Sequence, residues 1–306
     1  MARILSLTLN PALDLTVRLA RLEPGEVNRS EAMITHAAGK GVNVAQVLAD
    51  LGHQVSVGGF LGAANPQAFD ALIASRGFGD AFIRVPGETR SNIKIAEQDG
   101  RVTDINAPGP WVSEQAQKQL LKLLAVIGPE FDAVVVAGSL PRGVSPQWFQ
   151  DLLEALKNLG LKVALDTSGE ALRAGLKAGP WLVKPNTEEL ADALGHSPDA
   201  IRQLHRQGVE HVVVSDGAAG VSWYSPGTAL HATPPKVTVA STVGAGDSLL
   251  AGMLHGLLSG DTPEQTLQRA TAIAAMAVTQ IGFGISDHAQ LESLQSGVHV
   301  RPLTEQ

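Results

Sequence analysis

A chain of 306 residues that is 44% hydrophobic and 17% charged can bury a full core, and it lies far from the polar, charge-rich composition of disordered segments. With 23 Lys and Arg against 30 Asp and Glu, a net charge of −7 and no basic cluster, it has no surface for a nucleic acid backbone. Having no cysteine, it forms no disulfide, thiolate metal site or cysteine nucleophile, and its nine histidines make no His-Glu-x-x-His pair, so any metal is expected on oxygen ligands.

The N-terminus runs directly into an alternating apolar strand at residues 4–9, without a basic region and cleavage site ahead of it, which predicts a cytoplasmic protein. Short β-rich apolar runs recur at residues 55–60, 133–137, 163–166, 181–183 and 211–214. Amphipathic stretches lie between them. In residues 113–127, Ala116, Leu120, Leu123, Leu124 and Ile127 repeat at helical spacing. This alternation predicts an α/β fold with a mostly parallel sheet covered by helices on both faces.

Two excursions break the pattern. Residues 14–17 and 27–33 read as short strands around Pro24-Gly25, and residues 92–97 and 102–106 as strands joined by a two-residue hairpin at Asp99-Gly100. They predict a small β-lid, with segments at about 12–36 and 86–106, on a single domain spanning residues 1–306. The apolar stretch at 270–278 falls short of the roughly 20 residues that cross a bilayer and reads as an Ala-rich helix packed closely in the core.

The segment Ser241-Thr242-Val243-Gly244-Ala245-Gly246-Asp247-Ser248 stands before a helical run at 249–258. Glycines let the backbone turn tightly, and the amides of residues 244–247 would then point outward at a helix N-terminus, where an anion is favoured. Asp247 in that first turn either accepts the proton of an attacking hydroxyl or only complements the helix dipole. The P-loop pattern occurs nowhere, and G-x-G-x-x-G fails because its third glycine would fall on Leu249, or on Val44 in the other candidate.

A second glycine turn, Gly39-Lys40-Gly41-Val42-Asn43, opens a helix; Lys40 offers a cation and Asn43 a hydrogen bond to a sugar hydroxyl, or the turn is a helix entry with a solvated lysine. In Lys184-Pro185-Asn186-Thr187-Glu188-Glu189, Asn186 and Glu189 at i and i+3 either face one Mg²⁺ ion or close a capping box. Arg29 and Arg90 in the lid segments are candidate phosphate clamps, or solvated charges. Ser139, just past the strand at 133–137, and Asp14, in the first lid segment, lie where open α/β sheets bind ligands, or in ordinary turns.

The order of these motifs resembles the ribokinase-like, or phosphofructokinase B, family of sugar kinases over essentially the whole chain. The resemblance is carried by residues 8–14, 39–45, Gly138-Ser139-Leu140-Pro141, 184–189 and, most specifically, 242–248. It implies a three-layer αβα sandwich with a β-lid, ATP and Mg²⁺ as cofactors, and Asp247 as catalytic base beside an anion hole of Gly244, Ala245 and Gly246. It also implies Asn186 with Glu189 at Mg²⁺, Asp14, Gly39 and Asn43 on the sugar, and Arg90 and Ser139 near its phosphate; Arg29 and Lys40 join this substrate set. Ser215-Asp216-Gly217-Ala218-Ala219-Gly220 matches the nucleotide loop, with Asp216 where an apolar residue is expected; Ser215, Gly217 and Gly220 go to ATP with Lys184, Asn186 and Ser248. His36-Ala37-Ala38, Gly58-Gly59-Phe60-Leu61-Gly62 and Thr89-Arg90-Ser91-Asn92-Ile93-Lys94 are most similar to the branch that phosphorylates fructose 1-phosphate to fructose 1,6-bisphosphate. The alternatives are a kinase of tagatose 6-phosphate or fructose 6-phosphate, and a sensor that binds a sugar phosphate without turning it over. Exposed lid edges suit a homodimer.

Overall fold

The computed structural model describes residues 1–197 and 199–303. The chain opens with β1 (Arg3–Thr8), leaves for a second sheet through β2 (Ala12–Leu19) and β3 (Ala32–Ala38), and returns through α1 (Lys40–Asp50) and β4 (Gln54–Gly62). After α2 (Gln67–Arg76) and β5 (Gly79–Val85) it leaves again as β6 (Arg90–Glu97) and β7 (Val102–Asn106), and α3 (Glu114–Ile127) brings it back. Alternation continues through β8 (Ala133–Ala137), α4 (Pro146–Asn158), β9 (Lys162–Asp166), α5 (Gly169–Lys177), β10 (Leu182–Val183), α6 (Thr187–Leu194), α7 (Ala200–Arg206) and β11 (His211–Ser215). The hairpin β12 (Val221–Ser225) and β13 (Thr228–Thr233), the helices α8 (Ala245–Ser259), α9 (Pro263–Ala277) and α10 (His288–Ser296), and β14 (His299–Pro302) follow.

The main sheet runs β14-β13-β12-β11-β10-β9-β8-β1-β4-β5, parallel from β11 to β5 and antiparallel from β12 to β14. Its central strands are buried on both faces, which is why they read as unbroken apolar runs. In β8, Val134 and Val136 enter the core under α3, α4 and α5, whereas Val135 and Ala137 enter the core under α1, α8 and α9. Two cores on opposite faces of one sheet make the three layers.

The helices begin where their caps dictate. Ser113 accepts from the Ala116 amide and starts α3, whose Leu120 and Leu124 are fully buried. The Ala-rich stretch forms most of α9, so close to α8 that a side chain on Gly252 would come within 2.6 Å of the Ala270 Cα. Among the described residues no helix is long and apolar enough to cross a membrane.

The lid is a four-stranded sheet, β3-β2-β6-β7, with β2 and β6 parallel. Two details differ from the expectation. The second strand lies at Ala32–Ala38 rather than at 27–33. Asn28 explains the shift: its side chain accepts from the Glu23 amide and donates to the carbonyls of Glu23 and Glu26, closing an exposed loop in which no ladder can form. The turn at Asp99-Gly100 is a four-residue connection, 98–101, in which the Gly100 amide donates to the Glu97 carbonyl, the Glu97 amide donates to the Arg101 carbonyl, and Gly100 takes a φ of 88°. Strands β5, β12, β13 and β14, outside the expected set, extend the main sheet at its two edges.

Candidate active site

Polar residues at the carboxyl ends of the central strands meet the underside of the lid in a cleft of about 640 Å³. Thr8 comes from β1, Ser139 follows β8, Asp166 closes β9, Lys184 follows β10 and Ser215 closes β11. From above, the lid contributes Asp14, Asn92, Lys94, Asp104 and Asn106, residues that alternate along their strands and therefore share one face. The N-termini of α1 and α8 complete the wall. A crevice at the carboxyl edge of a parallel sheet is where such folds bind ligands, because the strands end there and leave their loops and helix starts free to shape a site.

Gly244 caps α8 in the left-handed region, with a φ of 85° and no side-chain cap. The first amide bonded within this helix is that of Ser248, which donates to the Gly244 carbonyl at 2.9 Å; the amides of Gly244, Ala245, Gly246 and Asp247 have no acceptor among the described residues. Four free donors at the positive end of a 15-residue helix form an anion cradle. A side chain at Gly244 would meet the Phe283 ring at 2.7 Å, so the turn is shaped for glycine both in conformation and in space.

Asp247, in the first turn of α8, is 6% exposed and accepts a hydrogen bond of 2.8 Å from the Asn43 side chain, which α1 brings across the cleft. Burial, together with the nearby Asp166 carboxylate, pushes its pKa up to about 6, against the pull of Asn43, Lys40 and Lys184. It is therefore ionised at neutral pH and poised to take a proton. Asp166 lies between Lys40 Nζ at 3.1 Å and Lys184 Nζ at 3.3 Å. Burial opposes its ionisation, but Lys184 and Lys40 outweigh that and hold its carboxyl below the usual range. The Lys184 ammonium also stands 3.2 Å from where a side chain on Gly246 would begin, which puts it against the glycine turn.

The signal in the sequence for Asp166 is a charged residue closing an otherwise apolar parallel strand, at the edge where such sheets bind ligands. Asn186 and Glu189 form a complete capping box: the Asn186 side chain accepts from the Glu189 amide at 2.7 Å and Glu189 Oε2 accepts from the Asn186 amide at 2.9 Å. Both also line the cleft, and Glu189 Oε1 has no donor among the described residues. Cap and site residue are thus not exclusive readings.

The sequence profile of the pfkB family carbohydrate kinases matches residues 7–290. The chain belongs to the pfkB family of carbohydrate kinases. It is 45% identical to the 1-phosphofructokinase of Vibrio cholerae, over 98% of this chain and 97% of that protein, and 45% identical to the 1-phosphofructokinase of Escherichia coli K12, over 98% of each. Among solved structures it is similar to phosphofructokinase-2 from Escherichia coli in complex with fructose-6-phosphate, with a TM-score of 0.86 and 28% identity, covering 97% of this chain and 99% of that one.

Most of the expected site residues of this pfkB kinase converge on the cleft: Asp14, Gly39, Lys40, Asn43, Arg90, Ser139, Lys184, Asn186, Glu189, Ser215, Gly217, Gly244, Gly246 and Asp247. The Asp14 carboxylate is held at both oxygens, by Asn92 at 3.1 Å and by Lys94 at 3.2 Å. Arg90 donates to the carbonyls of Asn10, Pro11 and Ala107, three bonds that leave two of its five N–H groups for a ligand. Ser139 accepts from the Asn10 side chain at 3.2 Å.

Four residues of the expected set are not among those lining the cleft: Ala245 gives the turn only its free backbone amide, and Arg29, Ser248 and Gly220 lie elsewhere. Arg29 is exposed on the loop between β2 and β3, because the strand starts later than its sequence suggested. Ser248 is buried and its amide is spent inside α8. Gly220 faces away from the cleft and packs against β13, where a side chain would lie 2.2 Å from the Ala232 carbonyl oxygen. Asp216 turns with it to the far side of the 215–220 loop, where both line a separate pocket.

Proposed function

We propose that this chain is a cytoplasmic, homodimeric kinase that transfers the γ-phosphoryl group of ATP in line to the free primary hydroxyl of fructose 1-phosphate, giving fructose 1,6-bisphosphate and ADP. One observation carries the reading: a buried carboxylate with a pKa of about 6 stands in the first turn of a helix whose leading amides are free. Asp247 takes the proton of the attacking hydroxyl as its oxygen bonds to phosphorus and the bond from phosphorus to the ADP oxygen breaks. The amides of residues 244–247 hold the equatorial oxygens of the group in flight, where preorganised donors stabilise developing charge without reorganising. No covalent enzyme intermediate is involved.

Substrate choice is supported by the 1-phosphofructokinases that share 45% identity along almost their whole length. In this reading Asp14 and Asn43 hold sugar hydroxyls, and Arg90 and Ser139 the phosphate already present. Mg²⁺ fits the oxygen-only pair of Asn186 and Glu189. Among the described residues no group of three or more acidic or histidine ligands could hold a metal, so the rest of its shell would come from phosphate oxygens and water, and its charge would offset theirs. The outer face of the lid, with Leu13, Leu15, Val17, Met33, Ile93, Ile95 and Ile105 on one side of the pleat, supports pairing with a second copy.

A coupled assay of ADP release with fructose 1-phosphate, fructose 6-phosphate and tagatose 6-phosphate tests the assignment. Turnover is expected to be fastest with the first. Preference for either 6-phosphate would reassign the substrate, and tight binding without turnover of any of the three would make the protein a sensor.

A further inference from the structure

We propose that Asp166 is the positioning residue of the phosphoryl-transfer centre: its two carboxylate oxygens set Lys184 against the glycine turn and Lys40 at the mouth of the cleft, so that both ammonium groups face the transferring phosphate. The inference rests on reading the cleft as an ATP-dependent kinase site.

The carboxylate has no exposed surface, and a buried charge is costly unless it is paired and bonded. Its two ion partners come from separate parts of the chain. Lys40 opens α1 and Lys184 follows β10, and each is bound by a different oxygen of the same carboxylate, at 3.1 and 3.3 Å. Both line the cleft.

A lysine on its flexible stem is a poorly placed point charge until something holds its end. Asp166 supplies that hold without consuming the cations, since each ammonium has three donors: Lys40 gives one to Asp166, and Lys184 is held at the other oxygen by charge pairing at 3.3 Å. The Lys184 side chain is only 5% exposed and is fixed beside Gly246, whereas that of Lys40 is 40% exposed and faces incoming ligand. Charge spread over the oxygens of a phosphoryl group in flight requires cations already in place, and Asp166 sets them there before the ligand arrives.

The same carboxylate acts on the base. Facing Asp247 are Asp166 from β9, Lys40 and Asn43 from α1, and Lys184 from the segment after β10, with Glu189 from α6 acting on Lys40. Asp166 offsets the two lysines that would otherwise keep Asp247 a weak base. Loss of its charge alone therefore lowers the pKa of Asp247, and loss of Lys40 alone raises it. A residue that merely held the fold together would produce no such opposed pair of shifts.

Asp166→Asn keeps the volume and removes the charge. Calorimetry with the non-hydrolysable analogue AMP-PNP is expected to show affinity weakened roughly tenfold or more, by analogy with the outer-shell partners of ligating groups. In the ADP-release assay the acidic limb of kcat is expected to move down by about one pH unit or more in Asp166→Asn and up in Lys40→Gln. The double variant is expected to lose less than the sum of the single losses, since Asp166 acts through Lys40. Unchanged AMP-PNP affinity, or limbs that do not move in opposite directions, overturns the proposal. If Asp166→Asn does not fold, Lys40→Gln decides alone: an unmoved acidic limb together with wild-type AMP-PNP affinity overturns it. A wild type inactive on all three sugar phosphates would instead remove the kinase reading, and the AMP-PNP comparison would still test Asp166.

Discussion

At the scale of single residues the proposed chemistry depends on a proton acceptor held out of water. Asp247→Asn keeps the hydrogen bond geometry with Asn43 within reach but removes the base, so kcat is expected to fall roughly a hundred- to ten-thousandfold while KM for both substrates changes little. Steady-state kinetics at saturating ATP checks this, and near wild-type turnover would rule Asp247 out. Only the ionised form accepts a proton, so wild-type kcat should be lost as pH falls through about 6, the pKa to which burial and then Asp166 raise this carboxyl. Gly244→Ala carries two penalties. Its φ of 85° costs an L-residue about 1–2 kcal/mol, and the new methyl would meet Phe283. A lower melting temperature with a still larger loss of kcat is expected, because moving the turn also moves its amides; wild-type turnover with a lowered melting temperature would separate the turn from catalysis.

The elements that matter next are the four chain segments joining lid to sheet. Arg90 ties two of them to its own strand by donating to the carbonyls of Asn10, Pro11 and Ala107, so it both orders the lid entry and presents its remaining donors to the cleft. Arg90→Ala is expected to raise KM for the sugar phosphate far more than KM for ATP, and Arg90→Lys should fail to restore it, since one ammonium cannot reproduce a planar fork reaching three carbonyls. Equal effects on both substrates would show that Arg90 does not touch the acceptor. The capping box of Asn186 and Glu189 carries a similar double duty, starting α6 while leaving one carboxylate oxygen free. Local pattern was enough to place the helix starts and the glycine turn. It was not enough to start the second lid strand correctly, because the Asn28 side chain competes there for the backbone groups that a ladder would use.

For the molecule as a whole, a histidine pair away from the cleft is expected to contribute acid sensitivity. The Ala2 amide donates to His53 Nδ1, His53 Nε2 lies 2.9 Å from His255 Nδ1, and Arg269 stands 3.0 Å beyond. Burial, then His53 and Arg269, lowers the pKa of His255 from 6.5 to about 4. A histidine whose folded-state pKa is depressed binds its proton more readily when unfolded, so stability is lost as pH falls from about 6.5 towards about 4, by about 2 kcal/mol after discounting for partial exposure. Urea midpoints between pH 7 and 5 should fall faster for the wild type than for His255→Gln; parallel curves would show that this pair does not carry the effect. What the sequence by itself determined was the layered α/β class, most of the central strands, and the glycine turn with a carboxylate at the start of α8, because each is written in contiguous residues obeying backbone geometry and burial period. Only the tertiary structure decided that Asp166, Lys40 and Lys184 form one charged centre and that Arg29 stands outside it. Ion pairing depends on distance in space, and residues 126 positions apart, such as Lys40 and Asp166, meet only after the parallel strands align their ends.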